Sequence, residues 1–349
     1  MRLQLPDYVM NRNLIKAVNK NNVAYVKGVL DACPWLRNAL FYKEAIFTSV
    51  GLFEQTYRPP VLCLFTPFAH AILQNSKTVM KALKIMQVDM YHPCYVADVL
   101  EEDTLSYRVL ELPPIALCRP DDPGLSSAVE CGYDIHGNIM IVTTIYRGNH
   151  VEDAVVQYRG YWEFCLGVNK RNQNAQAITE LTKRIILSGY DINILLKQLD
   201  LCKLLARYYH LTLGQGFRSM DDLTLACELI QTLIRNGSSL SDPSVTHNMY
   251  KALVEVVNSE NHSNESFNHL SAILRSVVLL TADAKIWREL KSPMLDGVIR
   301  SAPRDTLTML CVRYIRSLLG GQFFQRHVQS LPCNDETKSL ISNGLKVEP

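Results

Sequence analysis

Apolar residues recur at three- and four-residue spacing in segment after segment of this chain, and several of the segments stop at a glycine. Leu14, Ile15, Ala17 and Val18 lead into four polar residues, Asn19 to Asn22. Val23, Val26, Val29 and Leu30 follow, and Pro34 ends the run. That pattern spells a helix, a short turn and a second helix. A pair this short buries too little surface to stand alone, so further pairs must stack on it.

Further segments of this kind lie downstream. Thr66 is a cap residue, Pro67 takes the first helical position, and Phe68 to Ile72 is apolar. Val79, Met80, Leu83, Ile85 and Met86 continue at helical spacing. Three later segments run into Gly132, Gly189 and Gly237, with Asp134, Asp191 and Ser239 two residues on. Glycine past a helix supplies the left-handed turn that stops it, and the Asp or Ser bonds to local backbone. The parallel positions of Asp134 and Asp191 therefore read as turn roles, not as a catalytic carboxylate pair. His70, inside the Thr66 segment, reads as structural.

With those residues in view, the segments resemble divergent ankyrin repeats. Thr66 and Pro67 match the repeat opening, Gly189, Asp191 and Asn193 match its closing turn, and Gly132 and Asp134 match in part, with His136 where Asn is usual. The spacing departs from the family: successive turns, from Gln87, lie 45, 57 and 48 residues apart, against about 33 in a regular array. The resemblance implies a mainly α fold, an irregular ankyrin-like helical solenoid over residues 10–290 with inserted loops, and a small three-helix domain over 300–345. An irregular all-helical solenoid of another kind is the alternative. Residues 103–125, rich in proline, read as an ordered loop or insertion. Residues 139–146 fit either a strand or a buried helix segment. Residues 258–266 read as a polar surface loop, and Trp287 as a packing residue in the apolar stretch 268–290. The stretches 103–125 and 139–175 are the expected carriers of specificity.

The C-terminal segment has one apolar stripe: Leu307, Leu310, Cys311, Tyr314, Ile315, Leu318 and Leu319, with Asp305 or Thr306 as cap and Gly320 as stop. Arg313 and Arg316 sit off the stripe, near the helix C-terminus, where positive charge suits the dipole. Shorter helices follow around 323–330 and 338–341. Such an appendage is too small for a strong core and needs a host or a partner. Thr306, Leu307, Cys311 and Ile315 resemble the elongin-binding box of the SOCS-box family, and the wider string from Pro303 to Leu319 is similar to its ankyrin-and-SOCS-box form. Leu331 and Pro332 stand where that family carries a cullin-selecting element, although Asn334 replaces its second proline. The resemblance implies that Leu307, Cys311 and Ile315 contact elongin C within elongin B/C, that Leu331 and Pro332 contact cullin-5, and that an unidentified protein substrate sits on the solenoid. It implies a non-catalytic substrate-recognition adaptor of a cullin-RING ubiquitin ligase. The alternatives are an ankyrin-type interaction scaffold without ligase assembly, or an ordinary terminal helix with Cys311 as a buried small residue.

Composition excludes other classes. Lys and Arg number 36 against 34 Asp and Glu, a formal charge of +2, and 48% of residues are apolar. A mostly disordered chain is excluded, and a broad basic surface for nucleic acid or anionic membrane is disfavoured. The ten cysteines include no CxxC pair and no zinc-type cluster with histidine, so they read as unpaired thiols, and no metal is expected. No nucleotide, zinc-protease or nucleophile-elbow motif is present, and no cofactor is expected. The N-terminus lacks a signal-peptide pattern and no stretch is long enough to span a membrane. The expected location is the cytoplasm, with the nucleus as a second compartment.

Overall fold

The computed structural model describes residues 8–9, 12–43, 62–101, 106–168, 174–212, 216–240, 242–257 and 306–344, with 270–281 in part. The chain divides into two compact units, Met1–Lys170 and Arg171–Pro349.

The first unit opens with β1 (Tyr8–Val9), α1 (Arg12–Asn19), α2 (Val23–Ala32) and β2 (Leu40–Lys43). The helix pair forms as its spacing predicts. Leu14, Val18, Val26 and Leu30 are buried, Asn21 turns the chain at φ 57, and Asn22 caps α2 by accepting from the Tyr25 amide at 3.1 Å. Next, β3 (Leu62–Phe65) runs straight into α3 (Pro67–Leu73), whose Ala69 amide donates to Thr66 Oγ1 at 3.1 Å. Then come α4 (Lys77–Ile85), β4 (Cys94–Glu101), β5 (Ser106–Leu112), α5 (Pro123–Glu130), β6 (Asn138–Arg147), β7 (His150–Gly160) and α6 (Tyr161–Val168).

The strands form one seven-stranded sheet in chain order, β1 to β7. Only β1 pairs in parallel, with β2; every later pairing is antiparallel. Opposed side chains hold the register. Asp98 on β4, itself buried, takes two bonds from the guanidinium of Arg108 opposite it, at 3.0 and 2.5 Å, a paired geometry suited to a desolvated carboxylate. Tyr107 of β5 stacks on Tyr146 of β6 with ring centres 4.9 Å apart.

This sheet overturns the expectation of a mainly α, irregular ankyrin-like solenoid: the fold is mixed α/β. Glycine stops and Asx turns encode how a helix ends, not what it packs against, and the turns themselves are real. Gly132, Gly189 and Gly237 sit at φ 93, 100 and 90. Asp134 and Asp191 each accept the amide two residues on, at 2.8 Å. The part of 103–125 from 106 onward, expected as a loop, is β5, a 3-10 turn at Pro114–Leu117 and the first residues of α5. Residues 139–146 lie in β6. Both expected specificity loops thus contribute strands to the sheet. Residues 258–266 and Trp287 lie outside the described residues.

The second unit contains α7 (Ala175–Leu187), α8 (Ile192–Gln198), α9 (Leu201–Tyr208), a ribbon of β8 (Leu211–Thr212) and β9 (Gly216–Phe217), α10 (Met220–Arg235) and α11 (Pro243–Val257). After them come α12 (Leu307–Leu319), α13 (Phe324–Ser330) and α14 (Asp335–Asn343). Here α7 packs on α10, while α8 and α9 pack on α11. Neighbouring turns are tied through Asn193, which accepts from the Ser239 amide at 2.5 Å and donates to the Gly237 carbonyl at 3.4 Å.

Candidate protein-docking face

Thr306 starts α12 by accepting from the Met309 amide at 3.3 Å, and Gly320, at φ 68, ends it. Met309, Val312 and Arg316 are buried; at about 100° per residue they share one face. Leu307, Leu310, Cys311, Tyr314 and Leu318 fall on the opposite face, within roughly 100° of one another, and all are exposed. Leu307 is 77% exposed, Tyr314 65% and Leu318 67%. A helix seated on a host usually turns polar residues outward. This one is apolar on both sides.

The inner face is fastened by a cation. Arg316 is buried, and among the described residues no carboxylate pairs with its guanidinium. Its Nη1 donates to the carbonyls of Ile341 and Ser342 at 2.6 and 2.8 Å, and its Nη2 to those of Ile234 and Ser238 at 2.8 and 3.3 Å. Ile341 and Ser342 lie in the last turn of α14, and Ile234 in the last turn of α10. Last-turn carbonyls lack a regular helical partner and lie at the negative end of the dipole; that of Ile234 also takes the Gly237 amide at 3.2 Å. The guanidinium also lies over the Phe324 ring, 4.8 Å from its centre. Burial lowers the Arg316 pKa to about 10, still far above neutral pH, so the group stays charged. Arg313 adds a bond from Nε to the Leu279 carbonyl at 2.9 Å.

The loop between α12 and α13 fits tightly against the helix-ending turns of the same unit. A Cβ on Gly321 would lie 2.2 Å from Asp191 Oδ1, one on Gly189 would meet the Phe323 ring at 2.2 Å, and one on Gly237 would meet Phe324 at 2.5 Å. The C-terminal helices are thus seated by buried contacts, while their outer apolar stripe stays open.

Of the residues singled out in the sequence, Leu307 and Cys311 sit side by side on the open face, and Ile315 lies half-buried at its edge. Leu331 is half-buried and Pro332 exposed, in the bend after α13. Cys311 is the exposed thiol of the ten; it is not the buried small residue of an ordinary terminal helix. Sequence reasoning missed Arg316, which it placed near the helix end for its charge alone. The signal was its spacing of seven and four residues from Met309 and Val312, which puts it in an inward row.

Elsewhere the chemistry is quiet. A cavity of about 280 Å³ in the first unit is lined in part by Tyr91, Glu111, Tyr133, Asp134 and Met140. The Asp134 carboxylate there is engaged by His136, through the backbone amide at 2.8 Å and the ring Nδ1 at 3.0 Å. Burial pushes the thiols of Cys94, Cys165 and Cys227 up to about 12, which marks them as unreactive core groups. Among the described residues no cluster of His, Cys, Asp and Glu could hold a metal ion, and no helix is long and apolar enough to cross a membrane.

No protein-family model, curated protein or solved structure matches this chain. With the mixed fold, this overturns its identification with the ankyrin-and-SOCS-box family and the function built on it, a substrate-recognition adaptor of a cullin-RING ubiquitin ligase. The ankyrin-type scaffold falls with it, because both needed a helical repeat host where the chain has a large sheet.

Proposed function

We propose that this chain acts by binding rather than by catalysis, presenting α12 as a helix that seats in an apolar groove of a partner protein. The observation that carries this reading is the second apolar face of α12. Leu307, Leu310, Cys311, Tyr314 and Leu318 follow the spacing by which a helix fills a groove, and they are exposed while the opposite face is packed. Burying one such side chain contributes about 1.5–3 kcal/mol. The stripe therefore supplies binding energy that the fold itself does not use. Elongin C is the partner we propose to try first, since Leu307 and Cys311 lie on this face and Ile315 borders it. No ubiquitin-ligase role is attached to that contact.

The test is titration of the purified chain with purified elongin B/C, followed by calorimetry. Saturable binding to the native chain is expected, lost in a Leu307→Asp, Leu318→Asp double variant with an unchanged circular dichroism spectrum. Absence of binding, or binding that the double variant retains, would reject elongin C as the occupant.

A further inference from the structure

We propose that β7 is the seam of a homodimer, formed when a second copy of this chain lays its own β7 antiparallel along the open edge. This inference is independent of α12. β7 closes the sheet order, and among the described residues no strand lies beyond it. His150 to Arg159 are all exposed, including Val151, Val155, Val156 and Tyr158, the last 64% exposed. An edge strand of this length, with apolar side chains and unpaired backbone groups, is a template for another strand.

The charges choose the occupant. In a two-fold antiparallel pair each residue faces its mirror image across the central residue. With Val156 at the axis, Asp153 faces the partner's Arg159 and Arg159 faces the partner's Asp153, so two opposite-charge pairs form, one at each end. Ala154 then faces the partner's Tyr158, a small residue against a large one, and Val156 faces the partner's Val156. Moving the axis to Val155 sets Asp153 against the partner's Gln157 and carries Arg159 beyond the regular stretch, into the bulge at the partner's Glu152. Moving it to Ala154 sets Asp153 against the partner's Val155. Glu152 is already engaged by Arg147 at 3.0 Å across the hairpin, which makes Asp153 the acid available to the seam. Charged residues on an edge ordinarily block strand addition. Here they oppose the neighbouring registers and favour one, and that one needs the same strand running the other way.

The experiment is light scattering coupled to size-exclusion chromatography on the full chain over a range of concentrations. It is run in the Leu307→Asp, Leu318→Asp background so that α12 cannot contribute. The expected result is a reversible monomer–dimer equilibrium. Asp153→Arg, which sets like charges opposite each other at both ends, should weaken the dimer by roughly tenfold, and adding Arg159→Asp should restore it. With the exposed thiol removed as Cys311→Ser, Val156→Cys should give a disulfide-linked dimer on mild oxidation, since residues facing across two strands lie within bridging distance; Tyr158→Cys and the Cys311→Ser background should not. A monomer at every concentration would overturn the proposal. So would a dimer that survives Asp153→Arg, or one that the charge swap fails to restore.

Discussion

Arg316 donates from Nη2 to the carbonyl oxygen of Ile234, 82 residues earlier in the chain, at 2.8 Å. Through that bond and its three companions, one side chain of α12 closes the carbonyl ends of α10 and α14 together. The helices that offer the open apolar stripe are thus locked to the rest of their unit by a buried cation, together with the buried side chains of Phe324, Val328 and Ile341. Met309 and Val312 provide the apolar packing beside it.

Replacing Arg316 by methionine keeps much of the side-chain volume and removes every donor. The Ile341 and Ser342 carbonyls lose their partner. Those of Ile234 and Ser238 keep the amides of Gly237 and Leu240 at 3.2 and 3.1 Å, and the cost of burying a charge disappears. At about 1–3 kcal/mol for each buried polar group left unsatisfied, and with that offset, the second unit should lose roughly 2–4 kcal/mol. Arg316→Lys should recover little, because a single ammonium cannot reach two helix ends at once. Urea unfolding with the slope held constant reads the loss. A methionine variant at native stability would show that desolvation cancels the four bonds.

How much of this was legible in the sequence follows from what each signal encodes. The helix ends at Gly189 and Gly237 and the capped start at Thr66 and Pro67 were readable, because each depends only on residues within one turn. The sheet was missed because β5 leads into Pro113 and Pro114, which drew 103–125 toward a loop. The burial of β5 also strays from simple alternation, so its period was weak. The outer stripe of α12 was legible as a row of apolar residues. Its exposure was not, since an apolar row normally faces the core. Arg316 was hidden for the opposite reason: an arginine reads as surface, and only the carbonyls gathered at two distant helix ends make it internal.

Gly237→Ala tests the seating of α13. The position has φ 90, unfavourable for any residue with a Cβ, and the new atom would meet the buried Phe324 ring at 2.5 Å. Strain and overpacking together should cost roughly 2–4 kcal/mol. Combining it with Phe324→Ala should remove the ring carbons at 2.5 and 2.6 Å from the clash, leaving the Phe324 Cβ contact at 2.8 Å and the backbone strain. A double-mutant cycle should therefore show a favourable coupling smaller than the cost of the glycine change. Strict additivity would mean that the ring moves aside freely.

Alkaline pH should destabilise the protein through its buried thiols. Cys94, Cys165 and Cys227 are raised by burial from 9.0 to about 12. When the chain is unfolded these thiols ionise near 9, so between pH 9 and 12 the native state holds more protons. Stability then falls as pH rises. By pH 10.5 each thiol withdraws at most about 2 kcal/mol. Buried Tyr133 and Tyr209, also raised by desolvation, act in the same direction. Thermal unfolding followed from pH 8 to 10.5 should show a falling midpoint, with a shallower fall in Cys227→Ala. A midpoint that is flat over this range would contradict the burial of these groups.

Adjacent positions on α12 should separate stability from binding. Met309 is buried on the inner face, whereas its neighbour Leu310 is half exposed on the outer one. Met309→Ala opens a gap beside Val312 and Arg316 and should cost about 2–5 kcal/mol. Leu310→Ala removes a similar side chain from solvent contact and should change stability by no more than about 0.5 kcal/mol. A partner seated on the outer stripe reverses the ranking. Leu310→Ala should then weaken the complex by roughly tenfold or more, one buried leucine's share. Met309→Ala should leave the affinity intact wherever the protein remains folded. Chemical denaturation and calorimetry on the same two variants check both halves. If Leu310→Ala were the more damaging to stability, the outer stripe would be packed within this chain and not open to a partner.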